Sequence, residues 1–337
     1  MSPLLPILLA LTLPAPADEP FIFRRPCMGT VWTIKLHAAE EKAAHAAADA
    51  AFARVAELDA ILSDYKKDSQ LSRLSATAGR GASVTVTGDL LTVLTLSQQA
   101  AAESGGIFDI TVGPCVQLWR TAKKSRRLPA PADLAAARAA TGHTLLLLDP
   151  KAGTAQLKAP GMLLDCGGIA KGYAQDEAMK VLREKHRITS ALIDAGGGIL
   201  VSARPPGREA WHIEVKPARD GAAPALLKVE NTSVATSGDL YQSVEIEGRR
   251  YSHIIDQTTG LGMTQSTQAT VVAPGGALAD WLATTLCLMG PEQGLAWLKE
   301  KHPEASARIV RTEKNGPVVR ETDGFAALLA PNSSARE

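Results

Sequence analysis

The stretch Leu164-Asp165-Cys166-Gly167-Gly168-Ile169-Ala170-Lys171-Gly172-Tyr173 joins a strand signal, a turn signal and a helix signal. The apolar residues from Met162 predict a strand ending at Asp165, the glycines predict a tight turn, and a helix is predicted to about Lys185. In such a turn backbone N–H groups approach an anion closely, the helix N-terminus adds a positive dipole end, and Lys171 adds a full charge. The chain contains neither GxxxxGK(S/T) nor GxGxxG, so this is an anion-binding loop of another kind or a plain turn.

Apolar periodicity on both sides of this stretch predicts a mixture of helices and strands. Helices are predicted at 40–60, 89–103, 132–140 and 277–289, and strands at 31–36, 144–148, 190–194, 211–215, 226–229, 242–246, 250–255 and 269–273. The basic run 123–127 is interpreted as a solvated loop. Because some strands adjoin as hairpins and others are separated by helices, the pattern predicts an α+β fold.

The composition is that of a soluble globular protein. The chain has 337 residues, of which 45% are hydrophobic and 21% are charged, and its formal net charge is +1. This length allows one large domain or two of moderate size. Lys and Arg together number 36 against 35 Asp and Glu, so no global field attracts a polyanion, and no nucleic-acid partner is expected.

The N-terminus predicts an export signal. An apolar run from Leu4 to Leu13, interrupted by Pro6, precedes the small residues Ala15 to Ala17. The run is shorter than the roughly 20 apolar residues of a membrane span, and the small residues fit a cleavage site. We expect a signal peptide at 1–17, a single functional unit at 18–330, a polar tail at 331–337, and a periplasmic or exported protein. The first cysteine after the run is Cys27, so no lipid anchor is predicted.

The cysteine pattern excludes two common motifs. The four cysteines are Cys27, Cys115, Cys166 and Cys287. No CxxC pair occurs, which argues against a zinc ribbon and a thioredoxin motif. Free buried thiols and a disulfide both remain open, because four cysteines allow three pairings.

One predicted helix carries a candidate cation site. Asp280 and Thr284 stand at i and i+4, so their oxygens share one helical face and can meet one hard cation. The alternative is a surface carboxylate beside a buried threonine.

Three further clusters contain polar residues at predicted turns. They are Gly106 to Pro114, Thr236 to Asp239, and His253 to Asp256 before Thr258-Thr259-Gly260. Each one alone is compatible with ordinary turn chemistry. A histidine at a strand end is also compatible with a purely structural part.

Seven motifs occur in a fixed order along the chain. They are Met28-Gly29-Thr30; Tyr65 with Ser69 and Leu71 to Leu74; Phe108-Asp109 with Val112 to Pro114; Leu164 to Tyr173; Thr236 to Asp239; His253 to Asp256 with Thr259-Gly260; and Asp280 with Thr284. In this order they resemble the ApbE family, whose members are FAD:protein FMN transferases. The resemblance implies a magnesium-dependent, exported enzyme with an α+β fold of mixed and antiparallel sheets flanked by helices. Because motifs from Met28 to Thr284 must converge on one FAD, it favours one interwoven unit.

The resemblance also implies an activity and a set of site residues. The activity is cleavage of FAD, attachment of FMN through a phosphoester to a threonine of an acceptor flavoprotein, and release of AMP. The implied FAD contacts are Met28, Tyr65, the backbone of Ile107, Phe108 and Asp109, Asp165, Lys171 and Ile254. The implied Mg²⁺ ligands are the Ala170 carbonyl, Asp280 and Thr284, and His253 is implied to assist proton removal from the acceptor. The acceptor is expected to be a membrane or periplasmic electron-transfer protein.

The residue chemistry is compatible with this activity. Cleaving a pyrophosphate requires neutralised charge on the non-bridging oxygens and a positioned acceptor hydroxyl. Mg²⁺ prefers oxygen ligands and usually retains waters or substrate phosphates. His253 is a sensible base because histidine titrates near neutral pH, at about 6.5. With five Phe, five Trp and four Tyr in the chain, aromatic rings are scarce, and Tyr65 is the natural stacking partner for a ring of FAD.

Departures from the family pattern leave alternatives open. Gln70 stands where relatives typically have Glu, and Asp194 and Gly198 stand where Asn and Asp are common. Gln257 replaces a usual proline, so its turn is expected to be less rigid. The implied metal ligands and His253 are all retained. A magnesium-dependent FAD pyrophosphatase that yields FMN and AMP, and a flavin-binding protein without turnover, are the competing hypotheses.

Overall fold

The computed structural model of the protein describes residues 19–216, 224–239, 242–313 and 315–330. The predicted signal peptide at 1–17 and the predicted polar tail at 331–337 lie outside these ranges. None of the helices within them is long and apolar enough to cross a membrane.

The described residues form nine α-helices and seventeen strands. The helices are α1 (Glu41–Leu62), α2 (Gln70–Ser75), α3 (Gly88–Glu103), α4 (Gly113–Ser125), α5 (Pro131–Ala139), α6 (Ala170–Lys180), α7 (Gly276–Met289), α8 (Pro291–Lys301) and α9 (Asp323–Leu328), with a 3-10 turn at His143–Leu145 and a π-helical turn at Val181–Lys185. The strands are β1 (Phe21–Cys27), β2 (Thr30–Leu36), β3 (Val84–Thr85), β4 (Leu146–Asp149), β5 (Thr154–Leu157), β6 (Ala191–Asp194), β7 (Gly198–Val201), β8 (Trp211–Val215), β9 (Ala225–Val229), β10 (Thr232–Gly238), β11 (Ser243–Ile246), β12 (Arg249–Ser252), β13 (Ile255–Asp256), β14 (Leu261–Gly262), β15 (Thr267–Ala273), β16 (Ser306–Glu313) and β17 (Gly316–Glu321). The α+β prediction is confirmed.

The largest sheet has eight strands in the order β1-β2-β6-β7-β10-β15-β16-β17. Every neighbouring pair in it is antiparallel. The smaller sheets are β3-β5-β4, β8-β9, β11-β12 and β13-β14. The sheet order joins strands from both ends of the chain, which agrees with one interwoven unit rather than two separate halves.

Alternating side chains place a core on each face of the large sheet. Ile193 and Val271 belong to the main hydrophobic cluster, which α1, α6 and α7 cover. Their neighbours Leu192 and Val272 belong to a second cluster on the opposite face, which the β8-β9 hairpin and α9 cover. This follows from the two-residue period of a strand. A third cluster joins α4 and α5 to the small hairpins β11-β12 and β13-β14.

Three local predictions are wrong. The strand predicted at 250–255 is interrupted at His253 and Ile254, which lie between β12 and β13. The segment 162–165 is not a strand, since only Leu163 forms an isolated bridge, to Val112. Met162 and Leu164 are buried in the core and Leu163 is half-buried, and a short apolar run has the same sequence pattern whether or not it forms a strand. The basic run is also helical over Lys123–Ser125, where α4 ends, and Arg126 terminates the helix with a φ of 53°. Its side chains are exposed, as expected.

The helices α6 and α7 approach each other through a pair of glycines. A Cβ on Gly172 would lie 2.1 Å from the carbonyl oxygen of Gly276, and a Cβ on Gly276 would lie 2.3 Å from the carbonyl oxygen of Gly172. Both distances are far below normal contact, so any side chain at either position forces the helices apart.

We therefore expect Gly172→Ala to destabilise the protein by about 2 kcal/mol, because overpacking a rigid contact costs energy of this order. The corresponding loss in Tm is roughly 3 °C, measured by thermal unfolding followed by circular dichroism. Gly275→Ala is the matched control, since its Cβ would meet nothing closer than the Asp176 Oδ1 at 3.5 Å. An unchanged Tm for Gly172→Ala would show that the two helices can separate at no cost.

Candidate active site

Several sequence-predicted site residues meet around the turn that precedes α6. A Cβ on Gly168 would lie 3.1 Å from Cε2 of Phe108 and 3.3 Å from Oγ1 of Thr284. The glycine turn, the loop after α3 and the middle of α7 are therefore in contact at this point. A side chain at Gly168 would crowd both of these neighbours.

The N-terminal ends of α6 and α7 cap each other. Asp176 of α6 accepts hydrogen bonds from the first backbone amides of α7, with Oδ1 2.6 Å from Gly276 N and Oδ2 2.8 Å from Ala277 N. In the opposite direction, Asp280 of α7 accepts a hydrogen bond from Gly172 N at 3.1 Å. These bonds satisfy amides that a helix start leaves without partners. They also fix Asp280 beside the first turn of α6, which begins at Ala170.

This arrangement places two of the predicted cation ligands, Asp280 and Thr284, on the side of α7 that faces the start of α6. Asp280 and Thr284 lie on one face of α7, and Thr284 Oγ1 donates to the carbonyl of Asp280 at 3.3 Å and lies 3.2 Å from Oγ of Ser237. No described residue donates a hydrogen bond to Oδ1 of Asp280. Asp280 and Thr284 offer a carboxylate and a hydroxyl, which are hard oxygen donors that fit Mg²⁺. The third predicted donor, the Ala170 carbonyl, belongs to the first residue of α6. Within the described ranges, no cluster of three or more His, Cys, Asp or Glu residues is suited to a metal.

Ser237 belongs to the predicted cluster Thr236 to Asp239, in which the sequence analysis gave it no role of its own, and its hydroxyl contacts Thr284. It lies at the end of β10, and its carbonyl accepts a hydrogen bond from Sγ of Cys287 at 3.0 Å. Burial raises the pKa of Cys287 to about 12, so this thiol stays protonated. The next acid in the motif, Asp239, is buried in an ion pair with Arg250 and accepts a hydrogen bond from Ser266 at 2.8 Å. Asp239 therefore anchors the end of the strand.

All four cysteines are free thiols in the structure. Cys115, Cys166 and Cys287 are buried, and Cys27 is half-buried. Burial is the main cause that raises the pKa of each of them. Of the two alternatives that the sequence left open, the structure has the free thiols.

Asp165 belongs to a cluster that includes a residue the sequence analysis missed. Its Oδ1 accepts from Gly167 N at 2.8 Å, and its Oδ2 accepts from Arg120 at 3.1 Å. Burial and the nearby charge of Asp64 raise the pKa of Asp165, while the Gly167 amide and Arg120 act in the opposite direction. Tyr65, which stands next to Asp64, is 76% exposed and lies under the same arginine.

The loop that follows α3 is held by its own side chains. Asp109 is buried, and its Oδ1 accepts from both the backbone amide and the hydroxyl of Thr111, at 2.8 and 2.7 Å. Phe108 N donates to Oγ of Ser104 at 3.0 Å. Burial raises the pKa of Asp109. The Asp109 side chain therefore shapes the loop, whose backbone at 107–109 is the part expected to contact FAD.

His253 lies between β12 and β13, in the pair of small hairpins that pack against α4. Its backbone amide donates to the carbonyl of Gln242 at 3.0 Å, and its Nδ1 lies 3.3 Å from the same oxygen. The imidazole is accessible at the surface, but surrounding protein reduces its hydration and lowers its pKa below the usual 6.5. The charges of Lys123 and Lys171 lower the pKa further, while the Gln242 carbonyl and Asp239 act in the opposite direction. His253 is therefore neutral at neutral pH.

The acid of the same motif does not pair with the histidine. Asp256 Oδ1 accepts from the backbone amide and the hydroxyl of Thr258, at 2.8 and 2.7 Å, which closes the turn before β14. Ile254 is buried, and its amide donates to Oγ of Ser252 at 3.0 Å. The side-chain amide of Gln257 donates a hydrogen bond to the Ile107 carbonyl at 3.3 Å and so fixes this turn. The histidine segment and the loop after α3 are thereby connected.

The remaining two predicted FAD contacts are Lys171 and Met28. Lys171 is in the first turn of α6 and donates to the Gly167 carbonyl at 3.2 Å. Met28 is at the β1-β2 turn with a φ of 46°. The hairpin touches the turn after β6, because a Cβ on Gly196 would lie 2.5 Å from Oγ1 of Thr30. The adjoining Gly197 carbonyl accepts from Thr236 N at 2.8 Å, which places the hairpin at the same end of the sheet as Ser237.

Comparisons with known proteins show the family of this chain. The model of the ApbE family matches residues 28–309. The FAD:protein FMN transferase of Treponema pallidum is 33% identical over 306 residues, which cover 85% of this chain and 83% of that protein. The FAD:protein FMN transferase of Haemophilus influenzae is 31% identical over 280 residues, which cover 81% and 80%.

Solved structures show the same fold. The apo form of the Pseudomonas stutzeri flavinyl transferase ApbE is 29% identical and has a TM-score of 0.81. The match covers 94% of this chain and 98% of that protein's chain. The flavin transferase ApbE from Vibrio cholerae is 27% identical, with a TM-score of 0.82, and covers 93% and 100%.

Proposed function

This chain belongs to the ApbE family, and from that premise we propose that it is a transferase that moves FMN from FAD to a threonine of an acceptor protein, with release of AMP. The observation that carries the proposal is the meeting of Gly168, Phe108 and Thr284 beside Asp280. This meeting gathers the backbone amides of the glycine turn and hard oxygen donors into one place. Backbone amides can bind the oxygens of a pyrophosphate, and hard oxygen donors can hold a cation that neutralises its charge.

We propose that the divalent ion is Mg²⁺, held by the carboxylate of Asp280, the hydroxyl of Thr284 and the carbonyl of Ala170. Such an ion, when bound, neutralises charge on non-bridging phosphate oxygens. The residues support it because Asp280 is fixed by Gly172 N through one oxygen only, which leaves the other free for a cation. The neighbouring Ser237 hydroxyl fixes the position of the Thr284 oxygen.

The other parts of the site act on the substrate and on its proton. The glycine turn at 167–168 and the start of α6 direct amides and a positive dipole end at the pyrophosphate, and Lys171 adds its charge. Neutral His253 accepts the proton of the acceptor hydroxyl. The hydroxyl oxygen then forms a bond to the phosphorus of the FMN half, the bond from that phosphorus to the AMP oxygen breaks, and AMP leaves.

We further propose that the acceptor is a membrane or periplasmic electron-transfer protein and that this enzyme is exported. The exposure of His253 supports a protein acceptor, because the target hydroxyl must reach the imidazole from outside. The apolar run at 4–13 supports export. A protein substrate explains why the base lies at the surface rather than in a closed pocket.

Purified protein mixed with FAD and Mg²⁺ tests the proposed reaction. With an acceptor protein that contains a flavinylation motif, we expect AMP in solution and a fluorescent acceptor band on a denaturing gel, both removed by a chelator. AMP with an unlabelled acceptor would favour an FAD pyrophosphatase instead. Bound FAD with no AMP would contradict both enzymes and leave a flavin-binding protein.

A further inference from the structure

Arg120 joins three residues that stand far from it in the chain. This α4 residue forms an ion pair with Asp64 at 2.5 Å and another with Asp165 at 3.1 Å. Its guanidinium carbon lies 4.0 Å from the centre of the Tyr65 ring. One side chain therefore fixes the loop after α1 to the turn before α6.

The geometry uses the shape of the guanidinium as well as its charge. The NH1 nitrogen faces Asp64 and the NH2 nitrogen faces Asp165, while the flat group covers the face of the tyrosine. The two carboxylates are only 21% and 12% exposed, so the arginine prevents two partly buried negative charges from facing each other alone. The hydrogen bond to Asp64 and the two acidic charges raise the pKa of Arg120 above its usual value, despite the opposing effect of burial.

Tyr65 has little else to hold its ring. The side chain is 76% exposed. Among the described residues, Arg120 is the only one whose charged or aromatic group stacks on the ring. The base of the loop is fixed separately, by Oγ of Ser69 donating to the Ser63 carbonyl at 2.6 Å. The loop backbone is thus anchored without Arg120, whereas the direction of the ring depends on it.

We propose that Arg120 is a positioning residue for FAD: it covers one face of Tyr65, leaves the other face for a ring of the dinucleotide, and holds Asp165 in place beside the glycine turn. This inference rests on the proposed function, in which Tyr65 and Asp165 contact FAD. Arg120 itself acts through these two residues. A cation held over an exposed aromatic face favours one orientation of the ring by about two- to fivefold.

Lysine cannot reproduce this arrangement. Its ammonium is a single point charge on a flexible stem, so it lacks the planar fork that bonds two carboxylates and stacks on a ring at the same time. Arg120→Lys keeps the positive charge but removes the planar guanidinium. This variant therefore shows whether the site requires the shape of the side chain or only its charge.

The test measures the dissociation constant of FAD by flavin fluorescence in the presence of a chelator, and kcat and KM by AMP release with Mg²⁺. We expect Arg120→Ala to raise the dissociation constant and KM about tenfold, with kcat within about threefold of the parent. Arg120→Lys is expected to remain at least about fivefold weaker than the parent. Lys124→Ala, which removes an exposed charge from the same helix, is the matched control and should change the dissociation constant less than about twofold.

A double-mutant cycle with Tyr65→Ala separates positioning from a general structural effect. If Arg120 acts through Tyr65, the double variant binds FAD more tightly than the product of the two single effects predicts. Independent, multiplicative effects would overturn the inference, as would parent-like binding in Arg120→Ala or Arg120→Lys. Should Arg120→Ala fail to fold, Arg120→Lys carries the test, because it keeps the stem and the charge. Absence of AMP from the parent protein, with FAD bound, would overturn only the proposed reaction, since the binding measurements need no turnover.

Discussion

Asp280→Ala is expected to reduce magnesium-dependent AMP release by about a thousandfold, because a metal contributes several kcal/mol and each 1.4 kcal/mol is about tenfold in rate. Asp280 is the only carboxylate in the proposed set of ligands. The measurement is initial AMP release over a range of Mg²⁺ concentrations at saturating FAD.

Asp280→Asn is the control for structural damage. It keeps an oxygen that can accept the hydrogen bond from Gly172 N but removes the negative charge. We expect its Tm to stay near that of the parent while its magnesium-dependent rate falls nearly as far as in Asp280→Ala. Full activity of either variant would contradict the metal assignment.

His253→Ala is expected to slow FMN transfer by a factor between about 10² and 10⁴, which is the usual contribution of a positioned general base. Binding of FAD should change little, because the imidazole contacts the Gln242 carbonyl rather than the glycine turn. Transfer is measured as the rate of acceptor labelling, and binding is measured by flavin fluorescence. His212→Ala, an exposed histidine on β8, is the matched control and should match the parent in both.

The pH dependence of transfer provides an independent test of His253. A base works in its neutral form, and the pKa of His253 is lowered, so the neutral form persists below pH 6.5. We expect the rate to be constant near neutral pH and to fall on acidification with a midpoint below pH 6.5. The same acid limb should be missing from the residual activity of His253→Ala. A midpoint above pH 6.5 in the parent would contradict the lowering of the His253 pKa, which burial by the surrounding protein mainly causes.

The two helices that carry these groups explain why the site tolerates little change in the fold. Asp176 and Asp280 exchange caps between α6 and α7, and the glycine pair lets the backbones come close enough for both caps to form. The rigid contact between the helices is therefore also what positions the proposed metal ligands. A loss of helix packing and a loss of activity should accompany each other in variants of Gly172.

The sequence by itself determined the features that depend on neighbours along the chain. The long helices α1, α3 and α7 follow from apolar periodicity, and the shared face of Asp280 and Thr284 follows from the helical repeat. The ordered motifs, taken together, indicated the family that the comparisons then showed. The apolar pattern at 162–165 predicted a strand that the structure does not have.

Only the tertiary structure decided which distant side chains meet. Arg120 reaches Asp64 and Asp165 across 56 and 45 residues of chain, and Gln257 reaches the Ile107 carbonyl across 150. Ser237 joins the proposed ligands because β10 lies against α7. No periodicity in the sequence encodes such pairs, since they arise from how separate elements pack. The sequence therefore specified the chemistry of the site, and packing selected the residues that orient it.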